Sequence, residues 1–461
     1  MSIHPETKRL KQAQSAINKL KFEFGPNKQQ ELTRLIYEIS KRDSIACDVL
    51  LNEATKESNL QSAKHAFISL KNYLLKLRFP KTYSSDGIAK FYLPKVSLNN
   101  RDIVKRKKPE EFYPSRIFIE KDAKDYMLTN DILYRFPKAR RISIESIKNV
   151  GNYNKSISAI SGYNKRTKSL FLVKEKFDFI KPCPCSKRVL GCGYYVLNLG
   201  FGCRYECSYC FLQTYANTSG IVLPMNIDDY LKKLDGFLDD KRIPIRIGTG
   251  EFSDSLALDS LTGYAKRLIE YFSNRNATLE LKTKSNSVYH LLSLDHKGKT
   301  VISWSVNPQE HIDSDEWLTT SLEDRLEAAK ACINAGYQVG FHFDPIIYSR
   351  NWQELYQRLV YDVFNKIDAS RIAWISLGTF RFSTGLKKVI EQRFPQSKIL
   401  DQELLVGFDD KLRYHYKARL DIYTKMHTWI RSYSKSALVY LCMEPREAWK
   451  EVLGKEKFCD Q

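Results

Sequence analysis

No stretch of this chain is apolar for long enough to cross a bilayer, and its start, Met1-Ser-Ile-His-Pro-Glu-Thr-Lys-Arg9, lacks the apolar core of a secretory signal. Neither a membrane span nor export is therefore expected; a soluble, cytoplasmic protein is. Internal repeats and long low-complexity tracts are also missing, which excludes a repeat array or a mainly disordered chain. Cysteine is too sparse for an oxidised scaffold: ten in 461 residues are not a disulfide framework. Acid is short as well, since 53 Asp and Glu face 74 Lys and Arg, a net charge of +21. An enzyme of small metabolites has no need of that charge. A polyanionic partner does, and nucleic acid is the first candidate. The plain alternative is a basic surface that serves solubility.

Along the chain the texture changes twice. Residues 1 to about 78 read as helices, because apolar residues recur at helical spacing in Ala13, Ile17, Leu20 and Phe22, and again in Leu32, Leu35, Ile36 and Ile39. A third helix is expected from the N-cap Ser62 to Leu77. Residues 79–112 are irregular, with Pro80, Ser84-Ser-Asp-Gly87, Pro94 and the basic run Lys105-Arg-Lys-Lys108, either a phosphate contact or a solvated loop. Residues 1–112 thus read as a basic helical extension and linker. Residues 113–193 form a small α/β region, with strands at Ser115–Glu120, Arg141–Glu145 and Ser169–Lys174 and a helix from Lys121 to Phe136.

From 194 to 395 strands alternate with helices. The strands are Tyr194–Leu199, Ile243–Gly248, Thr278–Thr283, Thr300–Val306, Tyr337–Phe343 and Ile372–Leu377. The helices are Asp228–Leu238, Leu258–Asn274, Val288–Leu294, Leu322–Ala335 and Trp352–Phe364. About six such units predict an α/β fold, a parallel sheet curled into a partial (β/α)6 barrel rather than a closed eight-unit one. Residues 396–461 make a C-terminal helix and strand region.

The most informative segment is Leu199-Gly-Phe-Gly-Cys-Arg-Tyr-Glu-Cys-Ser-Tyr-Cys-Phe-Leu-Gln-Thr-Tyr215, where Cys203, Cys207 and Cys210 stand as C-x3-C-x2-C. Thiolates are soft ligands that suit iron–sulfur clusters. A four-iron cluster on three cysteines keeps one iron for another ligand. In radical S-adenosylmethionine (SAM) enzymes that iron chelates SAM, whose reductive cleavage yields a 5′-deoxyadenosyl radical. Zinc normally wants four ligands in paired spacing, and three buried core thiols are the other plain alternative. The spacing, and Tyr209 and Phe211 on either side of Cys210, argue against both. A [4Fe-4S] cluster and SAM are the expected cofactors.

In such barrels the chemistry gathers at the C-terminal ends of the strands. After the cysteine loop come Gly248-Thr-Gly250-Glu251-Phe-Ser253-Asp254, then Thr283-Lys284-Ser285-Asn286, Ser305-Val-Asn307 and His342-Phe-Asp344. The glycines let the backbone approach the methionine part of SAM, and Lys284 suits its carboxylate. Polar groups at successive strand ends are what a central pocket requires. Ser253 and Asn307 equally suit helix caps, and His342 a satisfied core position.

The chain resembles the spore photoproduct lyase family of radical SAM enzymes from about Ser115 to the C-terminus. The resemblance is carried by Pro182-Cys-Pro-Cys185, Gly191-Cys-Gly-Tyr194, Cys203 to Gln213, Gly248 to Asp254, Thr283-Lys284, Ser305-Val-Asn307 and Arg393-Phe-Pro395. It implies a partial barrel that reverses a thymine photodimer in DNA. Hydrogen is abstracted from the methylene bridge of the lesion, the bridge fragments, a cysteine thiol returns a hydrogen, and SAM is regenerated. It implies Cys203, Cys207 and Cys210 as cluster ligands, Tyr209 in a hydrogen relay, Ser253 and Lys284 as SAM contacts, and reduced flavodoxin or ferredoxin as electron donor.

Two positions depart from the family pattern. The second relay tyrosine falls at Phe211, which has no hydroxyl, and the hydrogen-donor cysteine falls at Glu251. Glu251 instead resembles the glutamate that holds the SAM amino group in many radical SAM enzymes. The expected cofactor site is thus Gly248, Gly250, Glu251, Ser253, Lys284, Ser305 and Asn307. Tyr209 is the expected relay residue, and Cys442, after a short apolar run read as a strand, the candidate replacement thiol; Cys332 reads as core. Cys183, Cys185 and Cys192 are either a second metal site, without an evident fourth ligand, or a packed, reduced turn. Strict lyase activity is not expected. The leading function is radical SAM repair or modification of nucleic acid. The alternatives are radical modification of a peptide, protein or small metabolite, and a nucleic-acid-binding protein with a structural or redox-sensing cluster.

Overall fold

The structure, a computed structural model, describes residues 4–58, 62–83, 91–106, 111–150, 160–215, 218–241 and 244–455. The expected turn Ser84–Gly87 and the end of the basic run, Lys107 and Lys108, lie outside the described residues. The chain forms two compact units, residues 1–105 with 381–419, and residues 106–380 with 420–461.

The first unit begins with four helices, Pro5–Asn18, Pro26–Asp43, Cys47–Lys56 and Ala63–Arg78. Proline opens two of them, where its missing N–H costs nothing. Ser62 caps the fourth, its hydroxyl accepting from the His65 amide at 3.4 Å. The helices close on Leu10, Ile17, Leu32, Leu35, Leu50, Leu70 and Leu74. A three-stranded antiparallel sheet, Arg381–Ser383, Leu404–Val406 and Lys411–Tyr414, belongs to the same unit, and Leu405 packs on the helical core. Glu38 holds Arg34 at 2.7 Å, Arg78 at 2.8 Å and Lys387 at 2.9 Å, and Arg34 also meets Glu391 at 2.6 Å. Residues 381–395, which sequence pattern groups with the barrel, thus share ion pairs with the helical extension.

The second unit contains two main sheets. A four-stranded parallel sheet has the order Arg140–Ile144, Arg116–Glu120, Ser169–Val173, Ile221–Pro224. In the eight-stranded sheet, the strands Tyr194–Leu197, Ile245–Thr249, Ala277–Thr283, Thr300–Ser305, Gln338–Ile346 and Ile372–Thr379 lie parallel in chain order, the partial barrel that the sequence predicts. Two more strands extend its edges: Ile180–Pro182, antiparallel beside the first, and Val439–Leu441, parallel beside the last. The sheet curls enough for Arg246, on the second of the six strands, to reach the Tyr440 hydroxyl on the edge strand at 3.3 Å.

Several expected helices are shorter. Gly263, at φ +63°, divides Leu258–Asn274 into Asp259–Thr262 and Tyr264–Phe272. Lys121–Phe136 becomes a 3₁₀ turn, Lys121–Ala123, and a helix, Met127–Arg135; Val288–Leu294 is reduced to the 3₁₀ turn Tyr289–Leu291. Among the described residues no helix is long and apolar enough to cross a membrane.

Candidate active site

The cysteine loop leaves the C-terminal end of the first barrel strand and is anchored by one buried cation. Arg166 donates to the carbonyls of Cys203, at 2.9 Å, and Tyr205, pairs with Glu206, and stacks on Tyr163. Gln213 ties the loop from the other side, its amide donating to the carbonyls of Cys207, Ser208 and Cys210 at 2.8–3.2 Å. Glu206–Cys207 also pairs antiparallel with Glu316–Trp317.

The three loop thiols are free and half-buried. Burial, with Asp254 adding to it, pushes the Cys203 thiol up to about 12, and burial raises Cys207 and Cys210 too. Such thiols give up their protons when a cation binds. Among the described residues no three His, Cys, Asp or Glu side chains converge on a single ion position. The donor set, three soft thiols on one short loop, would fit an iron–sulfur cluster. Cys183, Cys185 and Cys192 do not converge on a single ion position either.

The glycine-rich turn follows the second strand. A side chain at Gly248 would collide with the Tyr194 hydroxyl, and one at Gly250, at φ +94°, would meet the Lys282 carbonyl at 2.8 Å. Asp254 ties this turn to the next strand end, accepting from the Thr283 hydroxyl at 2.6 Å and the Lys284 amide at 2.7 Å. Glu251 and Ser253 are half-buried on the turn, Ser253 lining a cavity that also reaches Cys203, Thr249 and Asp254. The Lys284 ammonium lies 5.7 Å over the Tyr209 ring, and Cys207 and Glu316 act on its charge.

Glu316 is a neighbour of Tyr209 and Lys284 that sequence reasoning missed. It accepts the Tyr209 hydroxyl, the Asn307 amide at 2.8 Å and Arg325 at 2.7 Å. Burial opposes its charge, but Arg325 and Lys284 outweigh that and hold its carboxyl down at about 2. Asn307 is fully buried and also accepts from the Tyr356 hydroxyl, so it orients Glu316. The Ser305 carbonyl accepts from Arg325 at 2.8 Å. No pattern in the sequence signals Glu316, which stands 107 positions from Tyr209.

The barrel interior below is polar. Glu280 accepts from His342 at 2.7 Å and from Trp374 at 3.2 Å, and lies 3.6 Å from Arg246. His342 is thus a satisfied buried histidine, held below its ordinary value by burial. Cys442 follows the edge strand, its amide bonded to the Leu377 carbonyl at 2.7 Å, and its sulfur acts on Lys282. The Cys183 amide bonds to the Tyr194 carbonyl at 2.9 Å, and Arg246 reaches the Cys192 sulfur at 3.1 Å. Cys332 is buried in its helix.

A family model described as spore photoproduct lyase matches residues 112–440. The chain belongs to the spore photoproduct lyase family. Its members are radical SAM enzymes, and this chain is one of them. The spore photoproduct lyase of Bacillus subtilis (strain 168) is 30% identical over 311 residues, 63% of this chain and 86% of that protein. That of Clostridium acetobutylicum is 29% identical over 296 residues, 62% and 85% respectively. A solved spore photoproduct lyase double mutant with bound AdoMet and dinucleoside spore photoproduct matches with a TM-score of 0.63 and 25% identity, covering 72% of this chain and 100% of that one. A single mutant with dinucleoside spore photoproduct gives 0.64 and 26% over the same shares.

Proposed function

We propose that this enzyme uses radical SAM chemistry to repair or modify a base in DNA. Cys203, Cys207 and Cys210 hold a [4Fe-4S] cluster. Gly248 and Gly250, through their backbone, Glu251, Ser253, Lys284 and Ser305 face SAM, and Asn307 acts through Glu316. The bound cofactors supply a carbon radical able to remove hydrogen from an unactivated position. The observation that carries this reading is the tie that Asp254 makes between the Glu251 turn and Lys284, beside the cysteine loop. Arg166 and Gln213 fix the loop, and Glu316 orients the Tyr209 hydroxyl. A DNA-base substrate is supported by the +21 charge and by relatives solved with dinucleoside spore photoproduct. Reduced flavodoxin or ferredoxin is the proposed electron donor.

Phe211 and Glu251 favour a substrate other than the spore photoproduct itself, with Cys442 as the thiol that returns hydrogen. They also favour a second reading, radical modification of a peptide, protein or small metabolite. The deciding experiment is anaerobic reconstitution and dithionite reduction, followed by assay of 5′-deoxyadenosine with irradiated DNA and with a peptide pool. Release driven by DNA supports the first reading; release driven only by peptides replaces it with the second.

A further inference from the structure

Lys282 is a cation inside the barrel that the cofactor site leaves unused. It lies on the strand Ala277–Thr283, two residues past Glu280, and so on the same face. That face is the barrel interior, because Glu280 reaches Trp374 on a strand that is not its neighbour. Among the described residues the Lys282 ammonium makes no hydrogen bond and no ion pair. It is half-buried, within electrostatic reach of Glu251, Glu280, Cys442 and Asp344. Burial works against its charge, but these groups outweigh burial and keep it protonated.

The same face carries a second, independent sign of a polar occupant. Ser303 pairs in register with Lys282, and Ser376 with His342. Both serines are buried, and their hydroxyls have no partner among the described residues. Buried hydroxyls are normally satisfied, so these two leave hydrogen-bonding capacity on this face for a polar group or water.

The surroundings of Lys282 decide what it takes. A phosphate would meet the carboxylates of Glu251, Glu280 and Asp344 and be repelled. An uncharged carbonyl oxygen would be accepted, and an N–H beside it would find the Asp344 carboxylate as acceptor, since Glu251 faces SAM and Glu280 already accepts from His342 and Trp374. We propose that Lys282 is a substrate-binding residue that takes the lactam edge of a base, as in the C=O beside N–H of thymine, with the carbonyl on its ammonium. This rests on the reading of the barrel as a DNA-base site and names the contact that selects the base.

The test is equilibrium binding of two dinucleosides, thymidylyl-thymidine and its deoxycytidine counterpart, to the full chain, anaerobically reconstituted and SAM-loaded. Wild type is expected to prefer the thymine dinucleoside. Lys282→Met is expected to weaken that ligand about tenfold or more and to leave the cytosine ligand and SAM within about twofold. Lys282→Arg, which keeps the donor and the charge, is expected to retain most of the thymine binding. Wild-type thymine affinity in Lys282→Met overturns the assignment and leaves the DNA reading standing. So does an equal fall for both bases, which would show charge rather than edge recognition. Loss of SAM binding in Lys282→Met would make Lys282 a scaffold residue and also overturns it. A wild type that binds neither dinucleoside but cleaves SAM with peptides overturns the DNA reading and this assignment together.

Discussion

Glu251 and the three loop cysteines carry the sharpest tests at the scale of single residues. If Cys203, Cys207 and Cys210 hold the cluster, changing all three to Ala is expected to abolish iron loading, read as iron and sulfide per chain after reconstitution. Iron retained by that variant would move the centre to the upstream cysteines. If Glu251 holds the SAM amino group, Glu251→Ala loses a charge-assisted hydrogen bond worth about 1.5–3 kcal/mol. SAM should then bind about 10- to 100-fold more weakly in a titration, with iron content unchanged. The cysteines, Glu251 and Lys284 were legible because motif and strand-end position both marked them. Glu316 and Arg166 were not. Each acts on the cysteine loop from outside it, across 107 and 37–40 positions of chain, and only the fold makes them neighbours.

Whole elements were legible where length and period agreed. Six strands and the expected barrel helices Asp228–Leu238, Leu322–Ala335 and Trp352–Phe364 stand within a few residues of their bounds. The helix Cys47–Lys56 was not foreseen, because its ten residues show too short an apolar stripe to establish a period. Ile221–Pro224 escaped because a four-residue apolar run does not separate strand from buried coil. The cysteine loop after the first barrel strand rests on Arg166, whose pairing with Glu206 is buried. Removing one partner of such a pair typically costs about 3–5 kcal/mol. Arg166→Met should therefore lower the urea midpoint of the second unit and cut iron loading, while Lys168→Met, a change nearby on the surface, should do neither. Full stability and iron in Arg166→Met would show that the loop holds its shape unaided.

At the scale of the whole molecule, the helical extension is built into a unit with residues 381–419, and this governs how its role can be tested. Deleting residues 1–105 would strip Leu405 of its core and leave Glu391 without Arg34. Surface charge is the better handle. Lys8, Lys11, Lys19 and Lys21 lie on and just after the first helix, at or near the surface. If they meet DNA phosphates, changing all four to Gln should weaken duplex binding at low salt. The plot of log affinity against log salt should also flatten, by up to about 0.9 for each phosphate that is no longer neutralised. An unchanged slope would place the DNA surface elsewhere.

The integrity of this unit has its own pH signature. Burial tends to raise the Glu38 carboxyl, but Lys387, Arg78 and Arg34 hold it well below the ordinary range. A depressed carboxylate contributes stability that is full above its unfolded value, about 4.3, and that is lost as pH falls towards the folded one. Glu38→Gln removes that carboxylate and leaves three cations clustered, at a cost of about 3–5 kcal/mol near pH 7. The gap in urea stability between wild type and Glu38→Gln should stay constant from pH 7 to about 5. It should then narrow by about 1.4 kcal/mol for each further pH unit. A gap independent of pH down to about 3 would mean that Glu38 contributes by packing rather than by charge.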